Sequence, residues 1–420
     1  MTAADFRRTL DALWRIESPR LIGALARLTR DVGRAEELAQ DALAAALVQW
    51  PEEGIPERPG AWLLATARRR AIDGFRRDAM MRRKHALIAH EPEGFEPDAE
   101  ARIDDDLGDE LLPLMFVACH PILPMDARVA LTLRVLGGLS TAEIARAFLT
   151  AEPTVAQRIV RAKKTLTDAD VPFEVPAGAE RTERLSSVLA VLYLIFNEGY
   201  AASAGEDWVR PALCEDAMRL GRILAQRMDE AEVHGLVALM ELQASRLKAR
   251  TRADGAPILL PDQNRALWDR LLITRGLAAL ERAEAAGARG PYTLQAAIAA
   301  CHARASRSVE TDWIRIAALY AALAEAMPSP VVELNRAVAL GMAFGPERGL
   351  AYLETIAGAP SLQRYHLLPA VSGDLLAKLG RHSEAAAAFR AAASLAINAT
   401  QRAALIARAE AVELNHQPKT

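Results

Sequence analysis

The chain is predicted to be all-α: two small helical domains, the second a helix-turn-helix, joined by an acidic linker and followed by a larger helical-repeat, tetratricopeptide-like domain. Three observations predict this. Long stretches of Ala, Leu, Arg and Glu, with aromatics only 5% of 420 residues, favour helix over sheet. Two short amphipathic segments separated by a break occupy Ser140–Leu166. A pattern of large and small residues recurs about one repeat length apart near the end. Two to four domains suit the length, and 51% hydrophobic with 25% charged residues is enough to build buried cores.

In chain order, Leu10, Leu13, Trp14, Leu21, Leu25 and Leu28 predict a helix, or a pair broken at Pro19. Asp31 is placed to cap the next helix, in which Leu38, Ala42, Ala46 and Trp50 share a buried stripe. Glu36, Glu37, Gln40 and Asp41 lie along its acidic flank. Pro51–Pro59 reads as a loop. Trp62–Lys84 then predicts a long amphipathic helix with Leu64, Ala67, Ala71 and Phe75 inward, helped by Leu63 and Ile72. It is the most basic segment of the chain: Arg68, Arg69, Arg70, Arg76, Arg77, Arg82, Arg83 and Lys84 face only Asp73 and Asp78. Such density suits a phosphate-binding surface, and equally a solvated helix with scattered arginines. Residues Glu91–Glu110 carry acidic side chains almost throughout, with Pro92 and Pro97 interleaved, and read as an acidic linker.

The block Leu111–Thr167 carries the helix-turn-helix. Ser140 followed three residues later by Glu143 is a capping-box signature, and Leu139, Ile144 and Phe148 give the first helix an apolar face. Pro153 sits where a first helical turn tolerates it. In the second helix Val155, Ile159, Ala162 and Leu166 form a core-facing stripe, while Thr154, Gln157, Arg158, Arg161 and Lys164, with Lys163 beside them, form a polar and basic outer face. This reads as a recognition helix for the major groove; the alternative is an αα-hairpin whose charged side is merely solvated.

Net charge is −3, so nucleic-acid contact must come from local basic patches. Cys119, Cys214 and Cys301 are far apart and not at metal-ligand spacing, and Cys119-His120 in FVACHP lacks further ligands, so no metal and no cofactor is expected. No nucleophile triad or phosphate loop appears, so no enzyme is expected. Met1–Arg8 lacks an apolar run and Val188–Phe196 is far short of a membrane span, so a cytoplasmic location without a membrane is expected.

Beyond Pro176–Gly178 helical hairpins are predicted to the end. Arg184–Tyr200 is a strongly apolar helix, and Leu236–Arg250 an amphipathic one. Glu198 and Tyr200 invite an active-site reading that no partner constellation supports. Leu376, Leu379, Gly380, Ala385, Phe389, Ala392 and Leu395 follow a tetratricopeptide pattern that Leu334, Ala337, Leu340, Gly345, Leu350 and Leu353 echo.

Three stretches, AEELAQDALAAALVQW, PGAWLLATARRRAIDGFRR and LTLRVLGGLSTAEIARAFLTAEPTVAQRIVRAKKTL, resemble, in family order, segments of bacterial RNA polymerase sigma factors of the extracytoplasmic-function subclass. FVACHP and the long extension resemble the sub-group with a tetratricopeptide-like tail. The resemblance implies a polymerase-docking helix whose Glu37, Gln40 and Asp41 meet the polymerase, with Ala42 and Leu43 departing from the usual Thr and Phe. It implies a segment, with Trp62, Arg68, Arg69, Arg70, Arg76 and Arg77, that melts and reads the −10 promoter element. It implies a recognition helix for the −35 element. Domains are expected at 1–84, 111–172 and 180–415, with the linker at 85–110. The implied partners are RNA polymerase core (clamp and flap) and promoter DNA, with a protein or small-molecule regulator of the repeats. A helix-turn-helix regulator working without polymerase, and a helical-repeat adaptor, are the competing readings.

Overall fold

The computed structural model describes residues 3–89, 110–201, 209–252, 258–287, 289–397 and 399–414. These hold eighteen α-helices and no β-strand, in two compact units divided after Val191. Most of the acidic linker expected at 85–110 lies outside the described residues. Of that stretch, residues 85–89 are helical and Glu110 is buried at a helix start.

In the first unit, α1 (Ala3–Thr29), α2 (Val32–Glu53) and α3 (Pro59–Ala89) pack together. Helix α1 runs unbroken through Pro19. The Asp31 carboxylate caps α2 by accepting from the Arg34 amide at 2.8 Å. Leu38, Ala42, Ala46 and Trp50 are buried as the spacing predicts. Two expectations fail here. Helix α2 continues through Pro51 to Glu53, and α3 starts at Pro59, so the predicted loop shrinks to a few residues. The expected inward positions Ile72 and Phe75 of α3 are 37% and 39% exposed, while Gly74 between them is the buried residue and faces Arg34 of α2.

The same unit contains α4 (Leu111–Ala118), α5 (Met125–Val135), α6 (Thr141–Ala147) and α7 (Glu152–Asp168). Both halves of the capping box form: Ser140 Oγ accepts from the Glu143 amide at 3.2 Å, and Glu143 Oε2 from the Ser140 amide at 2.8 Å. Gly138 turns the chain into α6 with φ +69°, a left-handed backbone that favours glycine. Val155, Ile159, Ala162 and Leu166 are all buried, and each large member of that stripe contributes roughly 1.5–3 kcal/mol. The stretches read as two N-terminal domains pack as one unit, with α1 against α4 and α5 and α2 against α7.

FVACHP is a structural corner. The Arg128 guanidinium donates to the carbonyls of Leu123 at 2.6 Å and Pro121 at 2.7 Å, and to Ser187 Oγ at 3.0 Å. Arg184 and Ser187, from the first half of α8 (Gly178–Tyr200), donate to the Phe116 carbonyl at 3.1 Å and the Cys119 carbonyl at 2.5 Å. The motif therefore seats the first half of α8. Among the described residues there is no cluster able to hold a metal ion, and no helix is long and apolar enough to cross a membrane.

The second unit begins within α8, the division falling after Val191, and continues with α9 (Pro211–Arg227), α10 (Ala231–Ala244), α11 (Arg270–Ala285), α12 (Pro291–Arg304) and α13 (Trp313–Ala326). It ends with α14 (Pro330–Phe344), α15 (Pro346–Ile356), α16 (Leu367–Lys378), α17 (His382–Leu395) and α18 (Ala399–Leu414). Proline opens α9, α12, α14 and α15, where its missing N–H costs nothing. Most helices pack on their sequence neighbours, with α12 also set firmly against α10, the habit of a repeat stack. Leu334, Ala337, Leu353, Leu376, Ala385, Phe389 and Ala392 are buried as the repeat pattern predicts. At the α14–α15 crossing a Cβ on Gly349 would lie 2.8 Å from Gly341 Cα, so only glycine permits that approach. Helix α10 corrects the amphipathic reading of 236–250. It ends at Ala244 and is buried from Val233 to Leu242, because α9, α11 and α12 surround it.

Candidate nucleic-acid interface

The outer face of α7 is the clearest candidate surface. With its apolar stripe turned inward, the same helical spacing leaves Thr154, Gln157, Arg161 and Lys164 exposed in a row. Arg158 lies beside them, half-buried, with Nε 3.0 Å from the Asp126 carboxylate. Lys164 pairs with Asp168 at 3.2 Å, a solvated contact that phosphate can displace. Lys163 sits elsewhere: its ammonium is held by Glu36 of α2.

Glu36 is the residue that sequence reasoning misplaced. The spacing places it on an acidic flank with Glu37, yet it is 4% exposed while Glu37 is solvated. Its carboxylate joins three helices, accepting from Arg134 Nε of α5 at 2.6 Å and from Lys163 of α7. Burial pushes its pKa up, but Lys163 and Arg134 outweigh burial and hold it below the ordinary value of 4.5. The signal was in the sequence: Val32, Ala35 and Ala39 place Glu36 inside their stripe, so burial was legible though its partners were not. Around it, Arg15 donates to Glu143 at 2.6 Å and the Thr167 hydroxyl to Asp31 at 3.0 Å.

On α3 the candidate residues divide into two sets. Trp62 is half-buried and packs edge-on against Trp50, ring centres 5.3 Å apart. Arg70 turns back to α2, donating to the Asp41 carbonyl at 2.7 Å with its side-chain carboxylate 3.5 Å away. Arg68 is half-buried, and burial lowers its pKa against the opposing pull of Glu110. Arg69, Arg76 and Arg77 are exposed, and Phe75 stands among them. On α2, Glu37 and Asp41 are exposed and Gln40 is half-buried.

Cys119 and His120 add no reactive centre. The Cys119 thiol lies 3.4 Å from Thr132 Oγ1, and burial pushes its pKa up to about 12. Burial, with Arg184 next, lowers His120 to about 4, and its Nδ1 accepts from the Ile122 amide at 3.1 Å. Glu198 is engaged by Arg210, and Tyr200 lies under the Arg250 guanidinium, 3.5 Å from the ring centre, so both are structural.

Residues 13–80 match the family model described as Sigma-70 region 2, residues 114–166 that described as Sigma-70, region 4, and residues 184–284 a family of unknown function, DUF6596. The chain is 44% identical over 391 residues to "Uncharacterized protein R00370" of Rhizobium meliloti (strain 1021), covering 92% of this chain and 91% of that one. A crystal structure of yeast Tom70 aligns over 91% of this chain and 81% of its own, at 11% identity and a TM-score of 0.31, too loose a likeness to identify the repeats.

Proposed function

The chain belongs to the sigma-70 family of RNA polymerase sigma factors, and from that premise we propose how its helices divide the work of promoter recognition. Transcription initiation with core polymerase and promoter DNA is the activity of the family; the assignment of residues is our reading. Helix α7 enters the major groove of the −35 element. Gln157 can read adenine, while Thr154, Arg158, Arg161 and Lys164 take phosphates or guanine edges. Helix α3 holds the separated strand at the −10 element through Arg69, Arg76 and Arg77, with Phe75 as a stacking face for an unpaired base. Glu37, Gln40 and Asp41 meet the polymerase clamp. The helices of residues 180–415 modulate output.

The observation that supports this best is the exposed row Thr154–Gln157–Arg161–Lys164, opposite a buried stripe and behind a formed capping box. A free-standing repressor needs neither a basic α3 nor an acidic α2 face, and an adaptor needs no Arg158/Arg161 face. The packed arrangement is then the unbound form. Elements about 25 base pairs apart are separated by roughly 85 Å of duplex at 3.4 Å per step. Helices α3 and α7, both packed on α2, lie too close to reach both elements, so the Glu36 ion pairs between α2 and α7 break when both are held.

Run-off transcription with purified core polymerase on the chain's own upstream DNA tests the reading. A defined start site that disappears with Arg158→Ala plus Arg161→Ala is expected. Duplex binding by that variant should lose roughly one to two units of salt slope. Absence of any start-site preference with the unaltered chain refutes it.

A further inference from the structure

Inside the second unit lies a cavity of about 390 Å³, within the size range of small-molecule sites. Five helices or their ends wall it: Tyr193 comes from α8, Gln243 from α10 with Arg246 just after it, and Gln295 and His302 from α12. Tyr320 and Leu323 come from α13 and Asn335 from α14. One side is apolar, formed by Ile298, Leu323 and Val332. Among the described residues no aspartate or glutamate lines it.

The polar side is cationic. Arg246 lies 5.8 Å from the Tyr200 ring centre and 5.9 Å from that of Trp268, aromatic faces that fix its guanidinium. Among the described residues no carboxylate pairs with it. Its cationic neighbours are otherwise occupied: Arg265 donates to the Ala305 carbonyl at 2.8 Å and lies over Trp268, and Arg250 donates to the Tyr200 carbonyl. The Tyr320 hydroxyl and the Gln243 side chain make no hydrogen bond to the described protein. Tyr193 is already committed, donating to Gln295 at 3.0 Å. His302 adds no charge, since burial, then Arg246 and Arg265, lowers its pKa to about 4.

A half-buried guanidinium that no carboxylate of the described residues pairs with, beside an unused hydroxyl donor and an apolar wall, suits an anionic acceptor carried on an apolar body. We propose that this cavity binds a small organic acid, its carboxylate on Arg246 and Tyr320 and its hydrocarbon part against Ile298, Leu323 and Val332. The site itself stands on the cavity geometry alone; only its consequence for transcription rests on the modulatory role proposed above for the second unit.

The test uses the full chain and two probes of equal shape, 2-naphthoate and the neutral 2-naphthamide, read by isothermal titration calorimetry. Naphthoate should bind at least ~10-fold tighter than the amide. Arg246→Gln should weaken naphthoate by roughly 10- to 100-fold, the range for a lost charged hydrogen bond, and leave the amide unchanged. Tyr320→Phe should weaken naphthoate less, and Asn335→Trp, which narrows the cavity from a solvent-exposed position, should weaken both. Circular dichroism confirms that each variant is folded. No binding of either probe up to millimolar concentration overturns the site. Equal binding of the two, or naphthoate binding untouched by Arg246→Gln, overturns the assignment of charge, and phosphate binding as tightly as naphthoate overturns the apolar wall. Probe binding without any change in run-off transcription would leave the site standing and remove the modulatory role.

Discussion

Glu36→Ala is the perturbation that bears most directly on how the first unit is held together. The carboxylate is 4% exposed and is shared by Arg134 and Lys163, whose side chains are each only 20% exposed. Removing it leaves two half-buried cations without their anion. Breaking a buried pair by deleting one partner costs about 3–5 kcal/mol. Arg134 keeps a hydrogen bond to the Leu139 carbonyl at 3.1 Å and both cations retain some water, so the expectation is the lower end, about 3 kcal/mol. That corresponds to roughly two orders of magnitude in the opening equilibrium of the α2–α7 contact. Hydrogen exchange followed by mass spectrometry reads this directly, as faster exchange in peptides covering 152–168 and 32–53. The adjacent Glu37→Ala is the control. Glu37 is solvated and pairs only with Arg34 at 3.2 Å, so its loss should cost under ~0.5 kcal/mol. If the two variants exchange alike, Glu36 is not the clasp between these helices and the argument from its burial is wrong.

The same residue sets a pH dependence. Its folded pKa lies below the ordinary 4.5, so the contact is at full strength above that value and weakens as pH falls through the folded pKa. Protection factors in 152–168, corrected for intrinsic amide exchange, should therefore fall below about pH 4.5 in the unaltered chain and be flatter with pH in Glu36→Ala. The cysteines should be inert: Cys119 and Cys214 are buried with burial pushing both thiols to about 12, and burial raises Cys301 too. A thiol reagent at neutral pH should label the native chain negligibly and all three thiols after denaturation; rapid native labelling would contradict the burial. Ser140→Ala removes one half of the capping box and should destabilise α6 by about 1 kcal/mol. Urea denaturation checks this, and an unchanged midpoint would mean that the box contributes nothing.

Much of this molecule was legible from residue order. Helix periodicity is local, so the buried stripe Val155–Ile159–Ala162–Leu166 and its exposed counterface follow from 3.6 residues per turn with no knowledge of the partner. The capping box is local in the same sense, as is the proline that opens α7. The repeat pattern of the second unit was readable because each hairpin packs on its neighbours in sequence.

What the sequence could not decide are the meetings of residues far apart along the chain. Lys163 looked like one more cation of the recognition helix, and only tertiary packing brought it to Glu36, 127 positions earlier. That Arg70 and Trp62 of α3 would meet Asp41 and Trp50 of α2 was equally hidden until the two helices were laid side by side. Leu236–Arg250 read as amphipathic, and three surrounding helices buried it. Periodicity says which side of a helix is turned inward; which charge waits there, and whether a cation such as Arg246 finds one at all, is fixed only when separate helices share the same space.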